Sequence, residues 1–170
     1  MNTRERLRLV AAVVVPAIAA DQVTKAWAVA ELDDRSISVL PTVDFALTYN
    51  SGFSFGTGEG LGPLVGIVVT AIVGFIAWRM WLETDRRRLI LLAAVFGGAV
   101  GNLIDRLFRT DGGWPLTGEV VDFIDVSWYA VFNVADAVLV VAVIVFIVTE
   151  WFAQRQQPTP ESSGDPDAAR

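Results

Sequence analysis

The residues with chemistry to offer are concentrated in 95–136. Asp122 and Asp136 stand there with Asn102, Asp105, Arg106 and Asn133, where two apolar segments end and begin. Two carboxylates sharing a poorly solvated site cannot both ionise cheaply, because burial and like charge each favour the protonated form of one of them. One aspartate then serves as base and the other as acid. The ionised one takes a proton from water, the water attacks a peptide carbonyl, and the protonated one donates toward the developing oxyanion. Arg106, Asn102 and Asn133 have the donors to orient such a pair and to keep it from collapsing into a fixed salt bridge.

Composition narrows the alternatives. The 170 residues include no Cys and no His, so thiol nucleophiles, disulfides, thiolate metal sites and Ser/His/Asp or Cys/His enzymes are excluded. Acid–base work falls to carboxylates, Lys or Tyr. With 54% apolar residues the chain reads as one membrane-embedded domain over 1–153, an all-α membrane protein. Four transmembrane helices are expected at about 7–30, 61–81, 89–107 and 131–152, with a small extracytoplasmic β-sheet and loop region between the first two. Residues 154–170, rich in Pro, Ser, Gly and Asp, read as a disordered cytoplasmic tail. The net charge of −6 is scattered over outer loops and this tail, and no nucleic-acid partner is expected.

These elements must bring the polar residues together. Arg4, Arg6 and Arg8 precede a long apolar run, a layout shared by a signal peptide and a first transmembrane helix. Ala17-Ile18-Ala19 resembles a cleavage site, yet apolar character resumes at 26–30, which favours a retained helix with Pro16 placed to bend it. Asp21 and Lys25, four apart near its outer end, share one face. Over 31–60 the alternation of Ile37, Val39, Val43, Phe45, Leu47 and Tyr49 has the period of a half-buried strand, and Asn50-Ser51-Gly52 supplies a turn. Gly56, Gly58, Gly60 and Gly62 make the next stretch a flap or a linker. Arg86-Arg87-Arg88 forms a tight basic connection before the third span, in which Gly97 and Gly101 permit close approach of another helix.

The positive-inside rule places both termini and 86–88 in the cytoplasm, and 31–60 and 108–129 outside. The outer ends of helices one, three and four then carry Asp21 and Lys25, Asn102 with Asp105 and Arg106, and Asn133 with Asp136, just beneath the loops holding Asn50 and Asp122. Intramembrane ionisable groups are costly and mark function by default. The residues alone leave three readings open: a peptidase, a transport or proton-relay site, and a polar cluster that only locks helices together.

Five stretches, in order, resemble the motifs of one family: DQVTK at 21–25, NSGFSFG at 50–56, GGAVGNLIDR at 97–106, VDF at 121–123 and FNVAD at 132–136. The family is lipoprotein signal peptidase, also called signal peptidase II. The resemblance implies an aspartic endopeptidase of the bacterial cytoplasmic membrane, cutting prolipoproteins before the diacylglyceryl-modified Cys of the lipobox. It puts the catalytic pair on Asp122 and Asp136 and supporting or substrate-binding roles on Asp21, Lys25, Asn50, Gly52, Asn102, Asp105, Arg106 and Asn133, with Asp105 as support for helix three. No metal or organic cofactor is implied. The implied partners are lipid-modified prolipoprotein signal peptides, membrane lipid and cyclic-peptide inhibitors of the globomycin type, and a monomer is expected. Phe53 and Ser54 depart from the small residues usual in the second motif. The segment around Asp111-Gly112-Gly113-Trp114-Pro115 is longer than in many members and could form a second outer flap.

Overall fold

The structure, a computed structural model, describes residues 1–52, 62–110 and 113–155. The glycines at 56, 58 and 60, Phe53, Ser54, Asp111, Gly112 and the tail beyond Arg155 lie outside the described residues. In chain order the elements are α1 (Thr3–Glu31), β1 (Ile37–Leu40), β2 (Val43–Asn50), α2 (Gly62–Leu82), α3 (Arg86–Phe108), β3 (Val120–Val126) and α4 (Val134–Arg155). All four helices are long and apolar enough to cross a membrane.

Local chemistry sets the helix ends. α1 starts at Thr3 because Asn2 and Glu5 form a reciprocal capping box, Glu5 N donating to Asn2 Oδ1 at 2.9 Å and Asn2 N to Glu5 Oε2 at 3.1 Å. It runs without interruption through Pro16. Asp85 caps α3 by accepting from Arg88 N at 2.8 Å, so Arg86, Arg87 and Arg88 form the first turn of α3 rather than the connection expected from their charge. Arg6 of α1 donates to the carbonyls of Met80 and Glu83 at the end of α2, and Arg88 pairs with Glu150 of α4 at 2.7 Å. The starts of α1 and α3 therefore lie with the ends of α2 and α4 at one pole of the bundle. The sheet lies at the other.

α3 is the central helix and packs against the other three. Gly101 is what allows α1 so close: a Cβ there would stand 2.6 Å from Asp21 Oδ2. The apolar core of the Arg-rich half contains Val14, Ile76, Met80, Leu89, Ala93 and Ala99. A second core under the sheet contains Ala28, Leu32, Val121 and Phe123. There Trp27, Phe45 and Phe123 meet edge-on or tilted, with centroids 5.5–6.1 Å apart.

The sheet is antiparallel in the order β1-β2-β3. β1 and β2 form where the alternation of 37–50 predicts strand, but the inward set is broken. Ile37, Phe45 and Leu47 pack on the core under the sheet, whereas Val39 and Tyr49 are exposed, because the pairing register shifts between Ser38 and Leu40 and again between Phe45 and Thr48. β3 was not foreseen, and Asp122 sits on this strand rather than in a loop. The reason is burial on both faces: Val120, Val121, Asp122 and Phe123 are all buried, so the segment has no alternation to betray a strand. The register pairs Thr48 with Asp122 and Asn50 with Val120, which puts Asn50 and Asp122 on one face as diagonal neighbours.

Candidate active site

Strand β3 and helix α4 are joined so that their carboxylates face a shared asparagine. Phe132 exchanges backbone hydrogen bonds with Ile124 (2.8 and 3.1 Å), which clamps the residues before α4 onto β3. α4 then begins at Val134, three residues later than its apolar pattern suggested, because Asn133 caps it. Asn133 Oδ1 accepts from Asp136 N at 3.1 Å, and Asp136 Oδ2 accepts from Asn133 N at 3.2 Å. This reciprocal cap fixes one oxygen of Asp136. The amide of Asn133 donates to Asp122 Oδ1 at 2.7 Å and to Asn102 Oδ1 at 3.0 Å, and the amide of Asn102 donates to Asp136 Oδ1 at 2.8 Å. Asn50 Nδ2 completes Asp122 by donating to its Oδ2 at 2.8 Å. All four carboxylate oxygens are thus held by N–H donors of three asparagines, from β2, α3 and the edge of α4.

Behind this layer lies a buried ion network. The Lys25 ammonium has three donors and uses them on Asp21 (2.9 Å), Asp105 (2.8 Å) and Asn102 Oδ1 (2.8 Å), with all three ionisable side chains fully buried or nearly so. Asp21 Oδ1 accepts from Ala135 N at 3.1 Å, one of the orphan donors at the start of α4. Asp105 accepts from Val121 N at 3.2 Å and pairs with Arg109 at 3.0 Å. The network therefore ties α1, α3, β3 and α4 into one frame, and Asn102 connects that frame to the pair of aspartates.

A cavity of about 210 Å³ opens in front of the carboxylates. Its polar wall is Asn50, Asn102, Arg106, Asp122 and Asp136, and its apolar wall includes Val69 and Ile72 of α2 and Leu139 of α4. Arg106 is 6% exposed and forms no ion pair among the described residues. Its Nη1 makes long contacts to the carbonyls of Ser51 (3.4 Å) and Gly118 (3.5 Å), and its buried Nε has no partner. Gly52 adopts φ +97°, and a Cβ there would stand 2.7 Å from Val65 Cγ1 and 3.1 Å from Arg106 Nη2. Only glycine fits the turn that backs the guanidinium.

Burial pushes the Asp122 carboxyl above the ordinary carboxylate range. The hydrogen bonds from Asn50 and Asn133 oppose that rise, and the neighbouring Asp136 adds to it. Among the described residues no group of three or more carboxylates is arranged to hold a metal ion.

All ten residues singled out from the sequence converge on this end of the bundle. Asn50, Asn102, Arg106, Asp122 and Asp136 line the cavity; Asn133 and Gly52 stand directly behind it; Asp21, Lys25 and Asp105 form the ion network. Two contributors were missed. Gln22 donates to Asp21, Asp105 and the Gly101 carbonyl (3.1–3.2 Å), and Arg109 pairs with Asp105. The i,i+4 spacing of Asp105 and Arg109 was a usable signal for the second.

The family model described as signal peptidase II matches residues 13–152. A lipoprotein signal peptidase of Mycobacterium leprae is 37% identical over 149 residues, covering 86% of this chain and 73% of that protein. One from Bifidobacterium adolescentis is 36% identical over 158 residues, covering 89% and 83%. Two solved structures described as bacterial membrane enzymes align with TM-scores of 0.69 and 0.68 at 25% and 27% identity, covering 92% and 87% of this chain and 94% and 93% of theirs.

Proposed function

The chain belongs to the signal peptidase II family, and from that membership we propose that Asp122 and Asp136 are its catalytic dyad. The protein is a multi-pass membrane protease that removes signal peptides from prolipoproteins. The observation that carries the dyad assignment is Asn133, whose amide holds Asp122 while its backbone N–H holds Asp136, so that the two carboxylates share one rigid support.

The reaction follows from that arrangement. Asp136, ionised, takes a proton from water, and the hydroxide adds to the scissile carbonyl carbon. Asp122, the proton holder, gives its proton to the carbonyl oxygen, and a tetrahedral gem-diol forms. Asp136 then passes its proton to the leaving nitrogen, the C–N bond breaks, and one hydroxyl proton returns to Asp122. The products are a new carboxyl on the signal peptide and a free amine on the modified Cys, with the dyad restored. The hydrogen bonds from Asn50 and Asn133 strengthen as Asp122 becomes anionic, so they favour the transition state over the resting state. Arg106, with an unused buried N–H, binds a carbonyl of the substrate peptide. Asn102 orients Asp136. Gly52 shapes the cleft, and Asp21, Lys25 and Asp105 hold the frame.

The substrate on this reading is diacylglyceryl-modified and is cut before its lipidated Cys. The protein acts as a monomer in the bacterial cytoplasmic membrane and needs no cofactor. The arginines at the pole of Arg4, Arg86 and Arg88 support an orientation with both termini in the cytoplasm and the dyad near the extracytoplasmic face. Trp114, Trp128 and Tyr129, exposed at the sheet end, suit the outer interfacial belt. Globomycin-type cyclic peptides compete for the same cavity. The test is mass spectrometry of a diacylglyceryl-modified prolipoprotein peptide incubated with purified protein and a chelator. A product beginning at the modified Cys, absent when the cyclic peptide is added, is expected. Cleavage elsewhere, or a requirement for metal, would contradict the reading.

A further inference from the structure

Asp136 and Leu139 line two openings, one on each side of the first turns of α4. One is the polar cavity already described. The other is an apolar groove of about 690 Å³, walled by Trp128, Tyr129 and Phe132 of the β3–α4 connection and by Val140 of α4, with Asp136 also in its lining. The two differ in chemistry. Among the described residues the cavity gathers Asn50, Asn102, Arg106 and both carboxylates, whereas Asp136 is the groove's single ionisable carboxylate and it has no amide or guanidinium side chain.

That difference sorts the parts of a lipid-modified peptide. Backbone N–H and C=O groups must find hydrogen-bond partners at membrane depth, so an extended peptide belongs in the polar cavity. Acyl chains need only apolar contact. They also hang from the residue next to the scissile bond, so their site has to begin within a side chain's length of the dyad, as the groove does at Asp136. Resting on the prolipoprotein-peptidase reading, we propose that the groove between the 126–132 segment and the first turns of α4 holds the acyl chains of the substrate's diacylglyceryl group while the peptide backbone occupies the polar cavity. The exposed rings of Trp128 and Tyr129, 6.1 Å apart, stand where the glycerol backbone would pass from the interface to the chains.

Val140 is exposed on α4, so Val140→Trp fills the groove without touching the core. The experiment compares kcat/KM of wild type and Val140→Trp on one lipobox peptide carrying either dipalmitoylglyceryl or dibutyrylglyceryl on its Cys. The variant should lose about tenfold or more on the long-chain substrate and less than about threefold on the short-chain one. Equal losses on both, or no loss on either, would overturn the assignment. In parallel, the long-chain substrate with a diazirine at the acyl terminus is photolysed with the Asp122→Asn protein. Adducts on 126–132 and 137–141 are expected; adducts on α2 at Val69 and Ile72, or spread over every lipid-facing helix, would also overturn it. Wild type that cleaves neither substrate would instead defeat the peptidase reading on which the inference rests.

Discussion

Replacing Asn133 by serine should remove most of the catalytic rate while leaving α4 capped. The side chain is fully buried and has two separable roles. Its Oδ1 caps α4 through Asp136 N, and serine caps helices about as well as asparagine. Its Nδ2 donates to Asp122 Oδ1 at 2.7 Å, and the serine hydroxyl, one atom shorter than the amide and held by the cap, falls short of that carboxylate. Asp122 Oδ2 keeps its donor, Asn50, and Asn102 Oδ1 keeps Lys25, so the loss falls on one oxygen of one carboxylate. A hydrogen bond to a charged group contributes about 1.5–3 kcal/mol, and this one reaches full strength when Asp122 has given up its proton. At about 1.36 kcal/mol per factor of ten, kcat should fall by about 10- to 150-fold. Asn133→Ala should lose a similar factor in kcat and, in addition, about 1 kcal/mol of stability with the cap. Single-turnover cleavage and thermal unfolding in the same detergent separate the two effects. Serine retaining more than about a third of wild-type kcat would refute the assignment of Asn133 as the dyad's support.

Lys25→Met leaves Asp21 and Asp105 buried without their shared cation and should cost about 3–5 kcal/mol in equilibrium unfolding, a loss below about 1 kcal/mol being incompatible with the network. Asn50→Ala removes a hydrogen bond that holds the Asp122 pKa down, so the pKa rises further. Because activity needs the Asp122 proton, the alkaline limb of the kcat/KM profile should move to higher pH; a shift to lower pH would count against Asp122 as the proton holder. Gly98→Ala puts a Cβ 2.6 Å from the Ala135 carbonyl, where backbone and not a flexible tip must move, and should cost about 1–3 kcal/mol. Unchanged melting and full cleavage by that variant would mean that α3 and α4 are less closely fitted than described.

The spans were legible because long apolar runs and flanking arginines are strong signals, and the gathering of the polar cluster at one end of the bundle followed from alternating the spans. The helix starts that a side-chain cap sets were not legible from hydropathy. Asp85 and Asn133 moved the starts of α3 and α4 by three residues in opposite directions from the apolar pattern, since a side-chain oxygen, not hydropathy, decides where the first turn begins. β3 escaped notice because burial on both faces erased its period. Its consequence is functional: a strand fixes Asp122 against Asn50 far more rigidly than a loop would. The identities of the polar residues were readable, but their grouping into a front layer of asparagines and a rear layer of ions was not. That grouping depends on Asn102 facing both Lys25 and Asp136, a three-helix coincidence that no single-helix spacing encodes. The reciprocal Asn133–Asp136 cap also shows why a helix-cap reading of Asp136 and a catalytic one are compatible: the cap uses one oxygen and positions the other.

The dyad itself is tested most directly by single-turnover cleavage of a diacylglyceryl-modified prolipoprotein with wild type, Asp122→Asn and Asp136→Asn, each checked for folding by thermal melting. Cleavage by wild type and none by either variant is expected, with both variants folded and still binding the substrate. Cleavage by a folded Asp122→Asn or Asp136→Asn protein would contradict the dyad.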